Sequence, residues 1–571
     1  MNNAEIADLL HEFADIMDLK GDVFKRNAYR RAAQNVQELD GDVLSYYREG
    51  RLESIPGVGE SIAQKIAEII RTGRSAELEA LRAQYPPGLV ELTQVPDLGP
   101  KKALRLYREL GIRDLAGLKK AALEHRIRRL EGFGRRSEEK ILQGIELVER
   151  NSGRMLLGDA LPIGLAVESY LRENGIEHVS VAGSLRRRKE TIGDIDIVVG
   201  SDLPLEATRL FVSYPRRETV VLQGPTRSSI RLDDGTQVDL RVVPVSDYGA
   251  TLLYFTGSKE HTVELRRMAM QMGYRLNEYG LFRRDDGSVV AREEERDIYR
   301  ALGLDLIPPE MREMRGEIEA AGVGRLPDLL RSEDIRGDLH VHTVMSDGHA
   351  TMRELAREAK RLGYEYIGLT DHSPSLRIAH GPTAGDLLDS VEEARQVSEE
   401  EGIAVLRGSE VDILEDGSLD YPREVLSQLD FVIASVHSRF QMPEEEMTER
   451  VLRAMSDPEV NVLGHPTGRL LGRREAYRID LERVMEHASR EGVALELNGY
   501  PYRLDLNDLN CRRAKERGVK LSVGTDAHAL EDLGYMHLAV GTARRGWLEK
   551  GDVINTLSLA QIRRFFERTS G

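Results

Sequence analysis

Gly183-Ser184-Leu185-Arg186-Arg187-Arg188-Lys189-Glu190-Thr191-Ile192-Gly193-Asp194-Ile195-Asp196-Ile197-Val198-Val199 is the stretch on which the reading of this chain turns. The apolar, β-branched run from Ile195 to Val199 predicts a strand, and alternation along a strand puts Asp194 and Asp196 on one face. Two carboxylates so close repel each other unless a cation lies between them. Asp239, in Gln237-Val238-Asp239-Leu240, sits on a second predicted strand and can complete the cluster. Three carboxylates on adjacent strands suit a pair of Mg²⁺ ions, one activating a hydroxyl and the other carrying a polyphosphate and its leaving group. Gly183 and Ser184 open a turn whose amides and hydroxyl can hold phosphate oxygens, with Arg187 as a charge partner. An Asp-x-Asp alone is more often a solvated acidic turn. The Gly-Ser pair, the ten-residue step from Ser184 to Asp194 and the later Asp239 give this one its meaning.

The rest of the chain supplies context. Its 571 residues exceed one hydrophobic core, so two to four domains are expected. The net charge of −17 argues against nucleic acid on average, but the average hides basic segments. Eight Lys/Arg face four Glu between Lys119 and Lys140, and Arg186 to Lys189 form a second cluster, while acidic residues crowd at Glu399–Glu401 and Glu444–Glu446. A basic channel on an acidic body is compatible with DNA. A single cysteine, Cys511, excludes an internal disulfide framework and fits a reducing compartment. Residues 4–20 place Ile6, Leu9, Leu10, Phe13, Ile16 and Met17 on one helical face, which is a helix with a buried side rather than a signal peptide. No apolar run is long enough to span a bilayer, so the expected location is the cytoplasm and no membrane partner is expected.

Residues 1–150 read as short amphipathic helices punctuated by glycine turns. Ile55-Pro56-Gly57-Val58-Gly59 lets the backbone turn sharply into a helix whose first amides can hold a phosphate oxygen without reading a base. Val95-Pro96-Asp97-Leu98-Gly99 repeats the pattern with Asp97 replacing the first glycine, and Leu130-Glu131-Gly132-Phe133-Gly134 begins a third copy. One Gly-x-Gly turn could simply end a helix; three in one helical region point to DNA backbone binding. Strand candidates begin at His178–Ala182 and continue at Ile195–Val199, Val220–Leu222 and Val238–Val243.

From Ile335 onward, apolar runs recur at Gly337–His342, Tyr366–Thr370, Ala404–Arg407, Phe431–Val436, Asn461–Gly464, Val493–Leu497 and Leu521–Gly524. Seven strands with helices between most of them suggest a parallel β/α barrel, and nearly every strand ends on His, Asp or Glu. Ten of the fourteen histidines lie here. His340 and His342 share a strand face, and Asp347, His372, Glu410, His437, His465, Asp526 and His528 follow at loop positions after strands. A single such His is usually structural, but nine possible ligands at successive strand ends suit Zn²⁺, Mn²⁺ or Fe²⁺.

These motifs carry three resemblances. The Gly-Ser and triple-Asp constellation resembles the nucleotidyltransferase superfamily, and Tyr254-Phe255-Thr256-Gly257-Ser258 narrows it to the family X DNA polymerases. That likeness implies that Gly183, Ser184, Arg187 and Gly193 belong to the nucleotide site. Tyr254 and Phe255 would pack beside the incoming sugar, Gly257 would disfavour a 2′-hydroxyl and Arg266 would touch the template side. Thr262 stands where that family often has a base-contacting asparagine, and it can still offer a hydroxyl.

Lys25-Arg26-Asn27-Ala28-Tyr29-Arg30-Arg31-Ala32-Ala33, followed by the first hairpin, resembles the small lyase domain of DNA polymerase beta and its relatives. Lys25 and Tyr29 would then bind a downstream 5′-phosphate and Lys65 would be the Schiff-base lysine, with Ser61 replacing a further phosphate-binding lysine. The C-terminal ligands, over residues 335 to about 545, resemble the polymerase-and-histidinol-phosphatase (PHP) family. This implies up to three Mn²⁺ or Zn²⁺ ions. His340, His342, Glu410 and Asp526 would hold the first, Glu410 with His437 and His465 the second, and Asp347, His372 and His528 the third. Arg439 could hold a phosphate oxygen.

The expected architecture is multidomain α+β and α/β, divided as follows. Residues 1–84 would form a lyase-like domain and 85–150 a helix-hairpin-helix duplex-binding subdomain. A palm would span 151–245, a nucleotide-selection subdomain 246–316, a linker 317–334 and a distorted (β/α)₇ PHP barrel 335–571. The whole resembles the bacterial and archaeal family X polymerases with this C-terminal domain. That resemblance implies a monomeric gap-filling repair enzyme acting on gapped or primer-template DNA and deoxynucleoside triphosphates. It further implies a 3′→5′ exonuclease, with abasic-site cleavage and 3′-phosphate removal known among relatives. Two competing readings make the chain a DNA-tethered small-molecule phosphatase or a polymerase with purely structural C-terminal metals.

Overall fold

The computed structural model describes residues 3–20, 22–37, 43–72, 74–85, 88–93, 95, 98–151, 154–376 and 379–567; Pro96 and Asp97 of the second hairpin lie outside them. The chain forms two compact units, Met1–Ser152 with Gly472–Arg474, and Gly153–Leu471 with Glu475–Gly571.

The first unit is helical. Its opening helix, Asn3–Lys20, buries Ile6, Leu10, Phe13, Ile16 and Met17 on one side, as its apolar periodicity requires. Gly57 and Gly132 adopt left-handed φ values of 75° and 78°. Gly59, Gly99 and Gly134 immediately precede the helices Glu60–Thr72, Pro100–Leu110 and Arg135–Asn151.

The second unit opens with a small antiparallel pair, β1 (Met155–Leu156) and β3 (Thr191–Ile192). The main sheet of this region contains β2 (His178–Val181), β4 (Ile195–Gly200), β5 (Arg217–Gln223), β6 (Arg227–Leu232) and β7 (Gln237–Val243), in the order β2-β4-β7-β6-β5. Strands β4 and β7 run parallel, with Asp196 in register with Asp239. Strand β6 was not anticipated: its Arg-Ser-Ser start masks a strand in which Ser228 and Ser229 are buried and Ile230 and Leu232 enter the core. Two helices, Tyr248–Thr256 and Lys259–Gln271, then lead to a three-stranded sheet of β8 (Tyr274–Asn277), β9 (Gly280–Arg283) and β10 (Val289–Ala291).

The remaining strands are β11 (Gly337–Asp338), β12 (Tyr366–Leu369), β13 (Ala404–Asp412), β14 (Phe431–Ser435), β15 (Val462–Leu463), β16 (Ala494–Asn498) and β17 (Leu521–Gly524). They pair in sequence order and all in parallel. A parallel bridge between Val341 and Ala527, with Asp526 N–H donating to His340 O at 2.9 Å, draws the first and last strands together. The strands read as continuous apolar runs because helices cover the outside and side chains fill the inside. The barrel and the mixed sheet share a core: Leu504 and Leu538 are fully buried among Leu161, Leu185 and Ile195. Truncating either leucine would cost about 2–5 kcal/mol.

Candidate functional sites

A cavity of about 250 Å³ is lined by Asp194, Asp196, Asp239, Arg227, Arg241 and Phe255. Asp194 lies just before β4, and Asp196 and Asp239 face each other from paired strands. Burial, together with the charges of Asp194 and Asp239, pushes the Asp196 carboxyl up to about 7; Arg227 opposes the rise. A divalent cation would reverse that penalty, so the donor set fits a hard metal ion. Gly183, at φ +59°, is glycine for a local reason: a Cβ there would stand 2.7 Å from Asp196 Oδ2. Asp239 is itself held by the Ser229 hydroxyl and by Gln237 Nε2 at 3.2 Å. Arg227 and Arg241 escaped the sequence reading. Arg241 was findable, since it follows Asp239 by two on one strand and so shares its face.

Beside this cavity the Tyr254 and Phe255 rings meet edge to face at 5.4 Å, Arg241 lies over Phe255 at 5.6 Å and Arg266 over Tyr254 at 5.1 Å. Gly257 is buried at φ +68°, next to the Arg187 guanidinium. Thr262 is buried and its hydroxyl donates to Ser258 O at 2.9 Å, so that proton is committed to its own helix instead of being offered outward. The basic run Arg186–Lys189 also requires correction, because it is not a free cationic patch. Arg186 pairs with Glu295 at 2.7 Å, Arg187 pairs with Glu313 at 3.0 Å, and burial lowers the Arg188 pKa.

The barrel gathers the nine anticipated side chains. Three groups have ligand atoms within metal-binding reach of one another: His342, Asp347, His372 and His528; His340, His342 and Asp526; and His372, Glu410 and His437. His465 joins through Nε2, 2.8 Å from Glu410 Oε1. The grouping differs from the expected one in that His342 reaches both the first and third sets, and His372 reaches Glu410, at 3.0 Å.

Among the described residues, eight buried donor or acceptor atoms of this cluster lack a hydrogen-bond partner. They belong to His340, His342, Asp347, His372, Glu410, His437 and His465. Buried polar atoms are normally satisfied, so converging orphans of imidazole and carboxylate fit metal ions. Burial, then His528 and His372, press the His342 pKa down to about 4, keeping that imidazole neutral and ready to ligate. Burial opposes ionisation of Asp347, yet His528 and His372 hold its pKa near 2. Left-handed backbone at Asp526 (φ 55°) and at His465 (φ 25°) places strain at ligand positions.

Outer groups orient these ligands, and the sequence reading did not identify them. Glu496 meets His340 Nδ1 at 2.5 Å, Asp412 meets His437 Nδ1, and Arg503 Nε and Asn498 Nδ2 donate to Asp526 Oδ2 at 3.0 and 3.1 Å. Arg439 is exposed and pairs with Glu415 at 2.8 Å, so its charge is matched on the surface.

In the helical unit, the Tyr29 ring is buried and stacks on Phe13 at 5.0 Å. Lys25 is exposed. Lys65 lies 5.9 Å above the Tyr29 ring, bonds Ser61 Oγ at 3.1 Å and pairs with Glu77 at 3.2 Å. Burial pulls its pKa down, but Tyr29 and Glu77 outweigh this and raise it.

A carboxylate triad on a mixed sheet, an adjoining aromatic pair and a His-rich parallel barrel define a protein with two metal-fitting centres for phosphoryl chemistry. Residues 1–75 match the family described as helix-hairpin-helix domain, 89–146 the SAM-like helix-hairpin-helix tandem, 251–313 the DNA polymerase beta thumb and 338–499 the PHP domain. The chain is 39% identical over 573 residues, covering 100% of both chains, to a Bacillus subtilis (strain 168) protein named DNA polymerase/3′-5′ exonuclease PolX. A probable phosphatase of Thermoanaerobacter sp. (strain X514) is 35% identical over 232 residues, 38% of this chain and 89% of that one. A probable phosphatase of Acetivibrio thermocellus is 33% identical over 207 residues, 34% and 81% respectively. The chain belongs to the family X DNA polymerases that carry a C-terminal PHP domain. Among the described residues no helix is long and apolar enough to cross a membrane.

Proposed function

We propose that this chain is a template-directed, gap-filling DNA polymerase of DNA repair whose PHP barrel is a metal-dependent 3′→5′ exonuclease. The observation that carries the reading is the coexistence, in one folded unit, of the Asp194–Asp196–Asp239 cavity and the orphaned barrel cluster.

In the polymerase site, Asp194, Asp196 and Asp239 would hold Mg²⁺, which would lower the pKa of a primer hydroxyl and neutralise phosphate charge. Gly183, Ser184, Gly193 and Arg187 bind the triphosphate, and Tyr254 and Phe255 form the wall against which the sugar rests. Arg227 and Arg241 add positive charge to the same cavity. In the barrel, His340, His342, Asp347, His372, Glu410, His437, His465, Asp526 and His528 would hold up to three Mn²⁺ or Zn²⁺ ions. Glu496 and Asp412 fix the ring orientation of His340 and His437. The hairpin glycines Gly57, Gly59, Gly99, Gly132 and Gly134 approach DNA backbone, and Lys25 and Tyr29 recognise a downstream 5′-phosphate. Lys65 is the candidate Schiff-base lysine, and in the folded chain it is held in an ion pair with Glu77 at 3.2 Å. Attack on a sugar aldehyde needs a neutral amine, and Tyr29 with Glu77 favours the ammonium.

Single-nucleotide gaps bearing a 5′-phosphate, assayed with Mg²⁺ and with Mn²⁺, with and without nucleotides, test the proposal. Asp239→Ala should lose nucleotide addition and keep DNA degradation; His342→Ala should do the reverse. Retained polymerisation by Asp239→Ala would overturn the carboxylate assignment. Preferential hydrolysis of histidinol phosphate over DNA would favour the phosphatase reading.

A further inference from the structure

We propose that Arg545, a residue of the barrel, positions Arg187 and keeps its charge available to an anion by sharing Glu313, which makes the PHP barrel part of the polymerase's nucleotide site. The inference rests on the reading of Arg187 as a triphosphate ligand.

Arg187 is reached by groups from three parts of the fold. Its Nη1 donates to Thr256 O at 2.5 Å, just before the Gly257 turn. Its Nε donates to Glu313 Oε1 at 3.0 Å, and its own carbonyl accepts from Arg545 Nη1 at 2.7 Å. Arg545 closes the helix Met536–Arg545 that follows the last barrel strand, and its side chain is buried. The same Arg545 Nη1 donates to Glu313 Oε1 at 3.0 Å, so one carboxylate oxygen serves two guanidiniums. Arg545 Nη2 is anchored on Asp508 Oδ2 at 2.7 Å, and that oxygen also accepts from Arg315 at 2.9 Å.

The charges do not cancel. Arg187, Arg545 and Arg315 face Glu313 and Asp508, which leaves one positive charge over. Because Glu313 is shared, it cannot neutralise Arg187 fully, and Arg187 keeps attraction for an anion at the Gly183–Ser184 turn. Without Arg545, Glu313 would pair with Arg187 alone and compete with the triphosphate. The backbone at Arg187 would also lose its anchor. Next to it, Arg188 runs along the same barrel helix, against Gly541.

The test is single-nucleotide gap filling by the full chain, with KM for the nucleotide and kcat measured separately. Arg187→Ala should raise KM about tenfold, the loss expected of one charge-assisted contact. Arg545→Met should also raise KM, by about tenfold, with kcat within about threefold of the parent. The double variant Arg545→Met/Glu313→Gln removes the competing carboxylate together with its second partner, and should bring KM back to within about threefold of the parent. Arg545→Lys keeps the charge beside Glu313 and should stay close to the parent; Arg545→Gln, which removes the charge but can still hydrogen-bond, serves if Arg545→Met does not fold and should raise KM in the same way. DNA degradation by the barrel should be unchanged in each folded variant. An unchanged KM in Arg187→Ala would overturn both the ligand reading and the inference. A raised KM in Arg187→Ala with an unchanged KM in Arg545→Met would overturn the inference alone. A double variant no better than Arg545→Met would show that sparing Arg187 from Glu313 is not what Arg545 does, and would overturn it as well.

Discussion

Gly183→Ala isolates the geometry of the polymerase carboxylates. The substitution imposes two penalties. A Cβ at φ +59° costs roughly 1–2 kcal/mol in backbone strain. The added methyl would also lie 2.7 Å from Asp196 Oδ2, far inside contact distance. Asp196 cannot yield through its backbone, because its carbonyl accepts from Ala182 N–H at 2.8 Å and its Cα is in register with Asp239. The carboxylate must therefore rotate away from the position where it shares a cation with Asp194 and Asp239. Misplacing a reacting group by 1 Å costs about a hundredfold in rate. Nucleotide addition by Gly183→Ala should fall by about that factor, with a drop in Tm of about 1–4 °C. Gly175→Ala is the control for strain, because Gly175 has φ +95° and open space where its Cβ would go. It should show a comparable loss in Tm with polymerisation intact, and DNA degradation should be unaffected in both. Equal nucleotide addition by the two variants would rule out the clash with Asp196, since strain alone would then account for everything seen.

One further outcome follows from a buried carboxylate and another from the helical unit. Burial resists ionisation of Glu295, but Arg312 and Arg186 hold its pKa down to about 2. Its folded pKa lies below its unfolded one, so its contribution is present above about pH 4.5 and is lost as pH falls toward 2. Glu295→Gln should flatten that part of the Tm–pH profile and cost about 3–5 kcal/mol at neutral pH, because it strands the fully buried Arg312; an unchanged profile would contradict the pairing. In the helical unit, a downstream 5′-phosphate should accelerate gap filling, and Lys25→Ala should reduce that acceleration. Equal rates on phosphorylated and unphosphorylated gaps would count against the phosphate pocket.

What the sequence made legible depended on how local the cause was. The barrel could be read because nearly every apolar run ends in a ligand-type residue, and strand burial and strand-end chemistry are both written in a few consecutive residues. The triad could be read for the same reason: Asp194 and Asp196 are neighbours, and Asp239 lies in its own apolar run. Long-range pairing could not be read. Arg186 and Arg187 looked like a DNA-facing patch because their partners, Glu295 and Glu313, stand more than a hundred residues away. Thr262 looked available to a nucleotide because nothing in the sequence shows its hydroxyl turning back to Ser258 O. Glu496 and Asp412 were hidden by their position: Glu496 sits on a strand already counted, Asp412 on β13, which runs on past the expected Arg407 through Glu410 to Asp412, and each orients a histidine from a different strand.

The proposed function requires two separate catalytic centres on one chain, with the barrel cluster as the nuclease. Glu410→Ala tests it most directly, because Glu410 Oε1 meets His465 and His437 while Oε2 meets His372 and His340. The measurement is Mn²⁺-dependent degradation of DNA alongside primer extension by the same preparation, with metal content and a melting curve recorded because metal loss can also weaken the fold. The expected result is a folded, metal-depleted protein that no longer degrades DNA and still extends a primer. A folded, metal-depleted Glu410→Ala protein that degrades DNA at the parent rate would contradict it.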